Sequence, residues 1–223
     1  MEENRKEEYK VEILGEKYSK DLKTFKVIFI GDSGVGKTSI VYRITKNGFK
    51  EDKAPTISVD LENYQVKINE QIIQIQFWDT CGNDEFASIT PNLFKNASLS
   101  VIVYAINDRN SFNNIGKWNN ILKNKTFECI NYLIGNKCEL QGERKIEKEE
   151  GEKLKKDYGN FKQFLEVSAK DGLNIDEFIK SIAISLFEKL KKEENLENQG
   201  ILLEKEDFKK ANKRKRKGCC PKK

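Results

Sequence analysis

Histidine is absent from all 223 residues. Its absence removes the Ser-His-Asp triad, the Cys-His dyad and every histidine-ligated metal site from consideration. Long apolar runs are missing too, and nothing approaches the roughly 18 residues of a membrane-spanning helix. Residues Met1 to Lys10 are charged throughout and lack the apolar stretch of a secretory signal, so folding in the cytosol is expected. Cysteine is sparse, with five in the chain. Cys81, Cys129 and Cys138 have no metal-ligand spacing and are expected to be reduced thiols.

What is present fits one domain with tails. Hydrophobic residues make up 37% and charged residues 35%, enough for a substantial core beneath a densely charged surface. The net charge of +5 is unevenly spread. Lys209 to Lys223 holds nine Lys/Arg and no acid, and removing those nine leaves residues 1–208 at −4. The basic character belongs to the tail.

Residues 1–22 are polar and read as a flexible extension. Lys26 to Ile30 reads as a buried strand, and a helix is expected over about Lys37 to Lys46. Leu61 to Ile68 and Ile72 to Trp78 read as a hairpin turning at Asn69-Glu70-Gln71. Three more buried strands are expected at Leu99 to Ile106, Glu128 to Gly135 and Phe164 to Val167. Helices are expected after them, at Ser111 to about Lys123, near Glu147 to Tyr158, and from Asn174 to about Lys191. Strands alternating with helices imply a mostly parallel sheet covered on both faces. Beyond Lys192 the apolar content drops and a linker is expected.

Between the first strand and the first helix lies Gly31-Asp-Ser-Gly-Val-Gly-Lys-Thr38. The pattern G-x-x-x-x-G-K-T in that context is a phosphate loop. Its glycines let backbone N–H groups wrap a β-phosphate, and the helix N-terminus adds partial positive charge. Lys37 is a point charge for the β- and γ-phosphates, and the Thr38 hydroxyl is a ligand for Mg²⁺. The loop alone does not choose between ATP and GTP.

Further motifs stand at the carboxyl ends of strands, where open α/β sheets bind ligands. They are Trp78-Asp79-Thr80-Cys81-Gly82-Asn83, Asn136-Lys137-Cys138-Glu139 and Ser168-Ala169-Lys170. In this order they resemble the Ras superfamily of small GTPases, over about Phe25 to Leu190. Pro55 to Asp60, Phe86 to Thr90 and the Cys219-Cys220 pair narrow the resemblance to the Rab branch. The resemblance implies a three-layer α/β G domain with a six-stranded, mostly parallel sheet, one antiparallel strand and helices on both faces. It implies domain limits of 1–22, 23–192 and 193–223, and Mg²⁺ with GTP or GDP as the bound groups.

The residue roles follow from the same resemblance. The nucleotide set is Ser33, Gly34, Val35, Gly36, Lys37, Thr38, Ser39, Phe49, Thr56, Gly82, Asn136, Lys137, Glu139, Ser168, Ala169 and Lys170. Thr38, Thr56 and Asp79 are the metal set, and Asn83, Lys37 and Gly82 the catalytic set. Thr56 would complete the metal shell, and the Gly82 N–H would meet the γ-phosphate. Phe49 would stack on guanine, with a core aromatic as the alternative. Asn136 and Lys137 would bind the base, and the Ala169 N–H would meet the guanine oxygen. Trp78 and Trp118 read as packing residues, Trp78 also as part of a partner-binding face.

Three departures from the family pattern matter. Asn83 stands where glutamine usually orients the attacking water, with a reach shorter by one methylene, about 1.5 Å. Slow intrinsic hydrolysis is therefore expected. Glu139 replaces the base-reading aspartate, so weaker binding and reduced guanine preference are expected. Ser58, Asp84 and Cys81 replace glycine, glutamate and alanine.

The tail from Lys213 to Lys223 has two readings. A basic run is a nuclear or nucleic-acid patch in one. In the other, Cys219 and Cys220 beside that run resemble a double prenylation site, with three further residues behind the pair. Two lipids plus basic charge anchor stably where one lipid does not. The second reading is preferred, with no nucleic-acid partner. It implies a monomeric switch in vesicle trafficking on the cytoplasmic face of an internal membrane, with a cytosolic pool. Its partners would be an exchange factor, an activating protein, an escort or dissociation-inhibitor protein, and effectors meeting residues 54–62 and 80–95. A largely GTP-bound platform that hydrolyses poorly is the alternative. An ATP-using enzyme is disfavoured, because Asn136-Lys137 and Ser168-Ala169-Lys170 would go unexplained.

Overall fold

The computed structural model describes residues 9–51, 56, 59–82, 91–126 and 128–198. The chain divides into two compact units, Met1–Ser185 and Leu186–Lys223. The sheet and the site both belong to the first.

Seven strands form one sheet: β1 (Val11–Gly15), β2 (Thr24–Ile30), β3 (Asp60–Ile68), β4 (Gln71–Asp79), β5 (Ala97–Ala105), β6 (Ile130–Asn136) and β7 (Phe161–Glu166). Their order across the sheet is β1-β3-β4-β2-β5-β6-β7. Only β3 runs against the rest, pairing antiparallel with β1 and β4. The helices are α1 (Lys37–Lys46), α2 (Pro91–Phe94), α3 (Arg109–Asn113), α4 (Ile115–Lys125), α5 (Lys148–Tyr158) and α6 (Ile175–Asn198). This is the expected three-layer α/β architecture with one strand more than the six expected.

The central strand shows why the sheet is buried on both sides. Val27, Ile28, Phe29 and Ile30 are all fully buried, and successive side chains face opposite layers. Phe29 meets Phe77 and Phe178 edge-on, with ring centroids 5.9 and 6.3 Å away. Ile28 and Ile30 join the opposite layer with Ile102, Tyr104, Trp118 and Leu133. α4 contributes Ile115, Trp118 and Leu122 to that layer, the i, i+3, i+7 stripe of an amphipathic helix.

The structure corrects three details. Residues 1–22 are not irregular throughout, because Val11 to Ile13 pair with Val66 to Ile68. Asn69 fixes the start of this extra strand: its N–H donates to the Lys10 carbonyl at 2.8 Å, and its side-chain oxygen accepts from the Lys10 N–H. The single helix expected over 111–123 is two, meeting at Asn114, and the first starts at an Asp108 cap whose carboxylate accepts from the Asn110 N–H at 3.0 Å. α6 runs on to Asn198, past the expected end at Lys191, because Lys, Glu and Leu remain good helix formers after the apolar face ends.

β2 sits where the chain order reverses. Its neighbours are β4 on one side and β5 on the other, both parallel to it. The crevice above its carboxyl end is the ligand position of this class of sheet.

Candidate nucleotide-binding site

The loop from Gly31 leaves β2 and turns into α1 at Gly36, whose φ is +93°. Only glycine adopts that conformation without strain. A Cβ there would also lie 2.3 Å from the Asn136 Nδ2. The position is crowded because the Asn136 amide donates to the Val35 carbonyl at 2.9 Å, and its oxygen accepts from the Ala169 N–H at 3.2 Å. One side chain thus ties the phosphate loop to the 168–170 loop.

A cavity of about 280 Å³ opens over this arrangement. Ser33, Gly34, Gly36, Lys37, Thr38, Ser39, Phe49, Thr56, Gly82, Asn136, Lys137, Glu139, Ala169 and Lys170 all line it, joined by Lys50, Glu51 and Thr80. Three expected residues stand behind the wall. Val35 and Ser168 are buried; Val35 offers its carbonyl to Asn136, and the Ser168 hydroxyl accepts from the Asp171 N–H at 2.9 Å. Asp79 is 2% exposed and reaches the cavity through Thr38. Asn83 lies outside the described residues, as do Cys219 and Cys220.

Lys37 is nearly buried and donates to the carbonyls of Gly31 at 2.9 Å and Asp32 at 2.8 Å. Burial pushes its ammonium down to about 8, against the opposing pull of the Asp79 and Asp32 carboxylates. An incoming phosphate adds negative charge beside it and so favours the protonated form.

The three expected metal residues come together. The Thr38 hydroxyl donates to Asp79 Oδ2 at 2.6 Å, and the Thr56 hydroxyl stands 2.7 Å from it. Two hydroxyls and a carboxylate are hard oxygen donors. With phosphate oxygens added they suit Mg²⁺, which binds through one or two carboxylates plus substrate phosphate. No cluster of three or more His, Cys, Asp or Glu able to hold a metal occurs among the described residues, so a site built from protein carboxylates or thiolates alone is not seen there. Gly82 presses on the phosphate loop, since a Cβ there would fall 2.1 Å from the Ser33 nitrogen.

The other end of the cavity has base-reading chemistry. Glu139 Oε2 is buried and accepts no hydrogen bond among the described residues. A buried carboxylate oxygen of that kind fits a ligand donor, because leaving it unpaired costs about 1–3 kcal/mol. Phe49 is 37% exposed at the cavity rim, which rules out the core alternative. Behind the base loops, Arg144 forms a two-pronged pair with Glu166 at 2.8 Å in each prong.

Besides Lys50, Glu51 and Thr80, four supporting positions escaped sequence reasoning. Asp32 is held from α4 by the Trp118 indole N–H at 2.8 Å and by the Asn114 amide at 2.7 Å. Trp118 is therefore a packing residue that also anchors the phosphate loop. Arg43 on α1 donates to the Ala169 carbonyl at 2.8 Å and to the Lys170 carbonyl. No motif marks these contacts. Trp78 is half-buried, with the Lys26 ammonium 3.5 Å from its ring, and it pairs across the hairpin with the exposed Leu61.

The same conclusion follows from likeness to other chains. The Ras family model matches residues 26–188. Ras-related protein Rab-8B of Bos taurus is 36% identical over 175 residues, covering 78% of this chain and 84% of the relative. Ras-related protein Rab-13 of Bos taurus is 38% identical over 160 residues, covering 71% and 78%. Ras-related protein Rab-8 of Diplobatis ommata is 37% identical over 172 residues, covering 77% and 81%. With its phosphate loop, base loops and sheet order in one cavity, the chain belongs to the Ras superfamily of small GTPases, in the Rab family.

Proposed function

We propose that the chain is a Rab-type molecular switch in vesicle trafficking that binds GTP or GDP with Mg²⁺, hydrolyses GTP slowly and docks on an internal membrane through a lipidated tail. The observation that carries the switch reading is the meeting of Thr56 with Thr38, which in turn donates to Asp79. Thr56 comes from the segment between α1 and β3, while Thr38 and Asp79 belong to α1 and β4. A γ-phosphate and cation at that point would hold the segment, and their loss would release it.

Mg²⁺, when bound, would neutralise charge on the phosphates. The chain's own residues do the rest. Lys37 places a positive charge at the phosphates, held in line by two loop carbonyls. Gly82 packs against the phosphate loop, and its N–H would meet the terminal phosphate. Asn83 would orient water for attack on the γ-phosphorus, giving GDP and phosphate. Catalysis is then mainly positioning and electrostatics. The exposed Leu61 and half-buried Trp78 support an effector surface on the β3–β4 hairpin, and the regulators would be an exchange factor, an activating protein and an escort protein.

The test is to identify the nucleotide that co-purifies with the full chain and follow its decay with and without an activating protein. GDP, or GTP that decays, supports the switch. GTP that persists indicates a GTP-bound platform instead. ATP or no nucleotide rejects both.

A further inference from the structure

We propose that Arg43 is a positioning residue for guanine selectivity, acting through the backbone of Ala169 and Lys170. The inference rests on the guanine-binding reading above and deepens it. Arg43 lies in the last turn of α1, the helix whose first turn carries Lys37 and Thr38. Its Nε donates to the Ala169 carbonyl at 2.8 Å and its Nη2 to the Lys170 carbonyl. Its Nη1 makes a longer contact of 3.4 Å to the Asn47 carbonyl at the end of the same helix. One guanidinium thus satisfies two successive carbonyls of the loop that faces the base. A planar fork of donors makes this possible, and a lysine ammonium cannot reproduce it.

The side of the loop on which Arg43 sits decides what this does. Ala169 and Lys170 line the nucleotide cavity, but Arg43 does not. Arg43 lines a separate groove with Asp171, Gly172 and Ile175. The Ala169 carbonyl is therefore drawn away from the cavity, which turns the Lys170 N–H of the same peptide plane toward it. The Ala169 N–H belongs to the preceding peptide and is already given to the Asn136 side-chain oxygen, 3.2 Å away, so the N–H that Arg43 orients is that of Lys170. Guanine presents an acceptor oxygen at its 6-position, and adenine presents an amine. An inward N–H favours guanine, whereas an inward carbonyl would repel the guanine oxygen and accept from the adenine amine. By holding the Ala169 carbonyl outward, Arg43 fixes the polarity of the 169–170 peptide.

The rest of the loop does not fix that polarity alone. Gly172 donates to the Ser168 carbonyl at 2.8 Å, and Asp171 to the Ser168 hydroxyl. These bonds close the turn and fix the 168–169 and 170–171 peptide planes, but they leave the 169–170 plane to be set by Arg43.

The experiment compares full-length wild type, Arg43→Gln and Arg43→Lys with a fluorescent N-methylanthraniloyl-GDP. Its release rate is measured, then competition by unlabelled GDP and ADP, with circular dichroism melting as the fold control. Arg43→Gln is expected to release the probe about tenfold faster, as for loss of one charge-assisted hydrogen bond, and to narrow the GDP-over-ADP ratio. Arg43→Lys keeps the charge without the fork and is expected to lie between wild type and Gln. It carries the test if Arg43→Gln does not fold. A merely structural role would weaken GDP and ADP equally, so an unchanged ratio in the folded variants overturns the inference, as does unchanged release. Failure of wild type to retain the probe overturns the guanine-binding reading together with this one.

Discussion

Asn83 and Glu139 differ from the family's glutamine and aspartate by one methylene, in opposite directions. Misplacing a catalytic group by about 1 Å can cost roughly 100-fold. Asn83→Gln is therefore expected to speed single-turnover phosphate release from GTP-loaded protein several-fold; no change would mean that residue 83 does not limit the intrinsic rate. At the base end, the buried and unpartnered Glu139 oxygen has to meet the ligand from a stem one carbon too long. Glu139→Asp is expected to tighten GDP binding by roughly tenfold, the low end of what a restored buried hydrogen bond is worth, and to widen the GTP-over-ATP preference. Titration calorimetry showing equal or weaker binding would refute this. The place of Glu139 at the cavity was legible in the sequence because it sits inside a contiguous motif. Arg43, Asp32, Asn114 and Trp118 were not, because their partners lie 82 to 127 positions away in the chain. Only the folded sheet brings them together.

Strands β2, β5 and β6 announced themselves as continuous apolar runs, because helices cover both of their faces. The hairpin was legible from its turn at Asn69. β1 was not, since Val11-Glu-Ile-Leu-Gly15 is too short to show alternation and gains its stability from pairing with Gln65 to Ile68. The break between α3 and α4 was hidden because apolar residues continue on both sides of Asn114. β1 has a consequence of its own. It covers the part of the β3 edge nearest the hairpin turn, and an uncovered edge is a template for another chain. Deleting residues 1–16 is expected to leave nucleotide binding intact, because no described residue before Ser33 lines the cavity. The same deletion should produce concentration-dependent self-association in light scattering. A truncated protein that stays monomeric up to about 1 mM, the upper end of the range in which exposed strand edges associate, would show that the edge is protected by other means.

At the scale of the whole molecule the charge is divided. The body carries −4 over residues 1–208, and the nine cations lie between Lys209 and Lys223. A body of that sign gains nothing from an anionic surface, whereas each Lys or Arg near such a surface contributes about 1 kcal/mol. No helix among the described residues is long and apolar enough to cross a membrane. Cys219 and Cys220 stand beside the cations, and two lipids there would supply what the basic run alone cannot. α6 reaches Asn198, so residues 193–198 are helical rather than the linker expected there. The cations alone predict binding that vanishes as salt screens them, since the Debye length falls from about 10 Å at 0.1 M to about 3 Å at 1 M. Lipids predict binding that survives. In cells, the Cys219→Ser/Cys220→Ser double variant is expected to move wholly to the soluble fraction at high salt, while the unaltered chain stays with membranes. A variant that remains on membranes in 1 M salt would assign the anchor to something other than the cysteine pair.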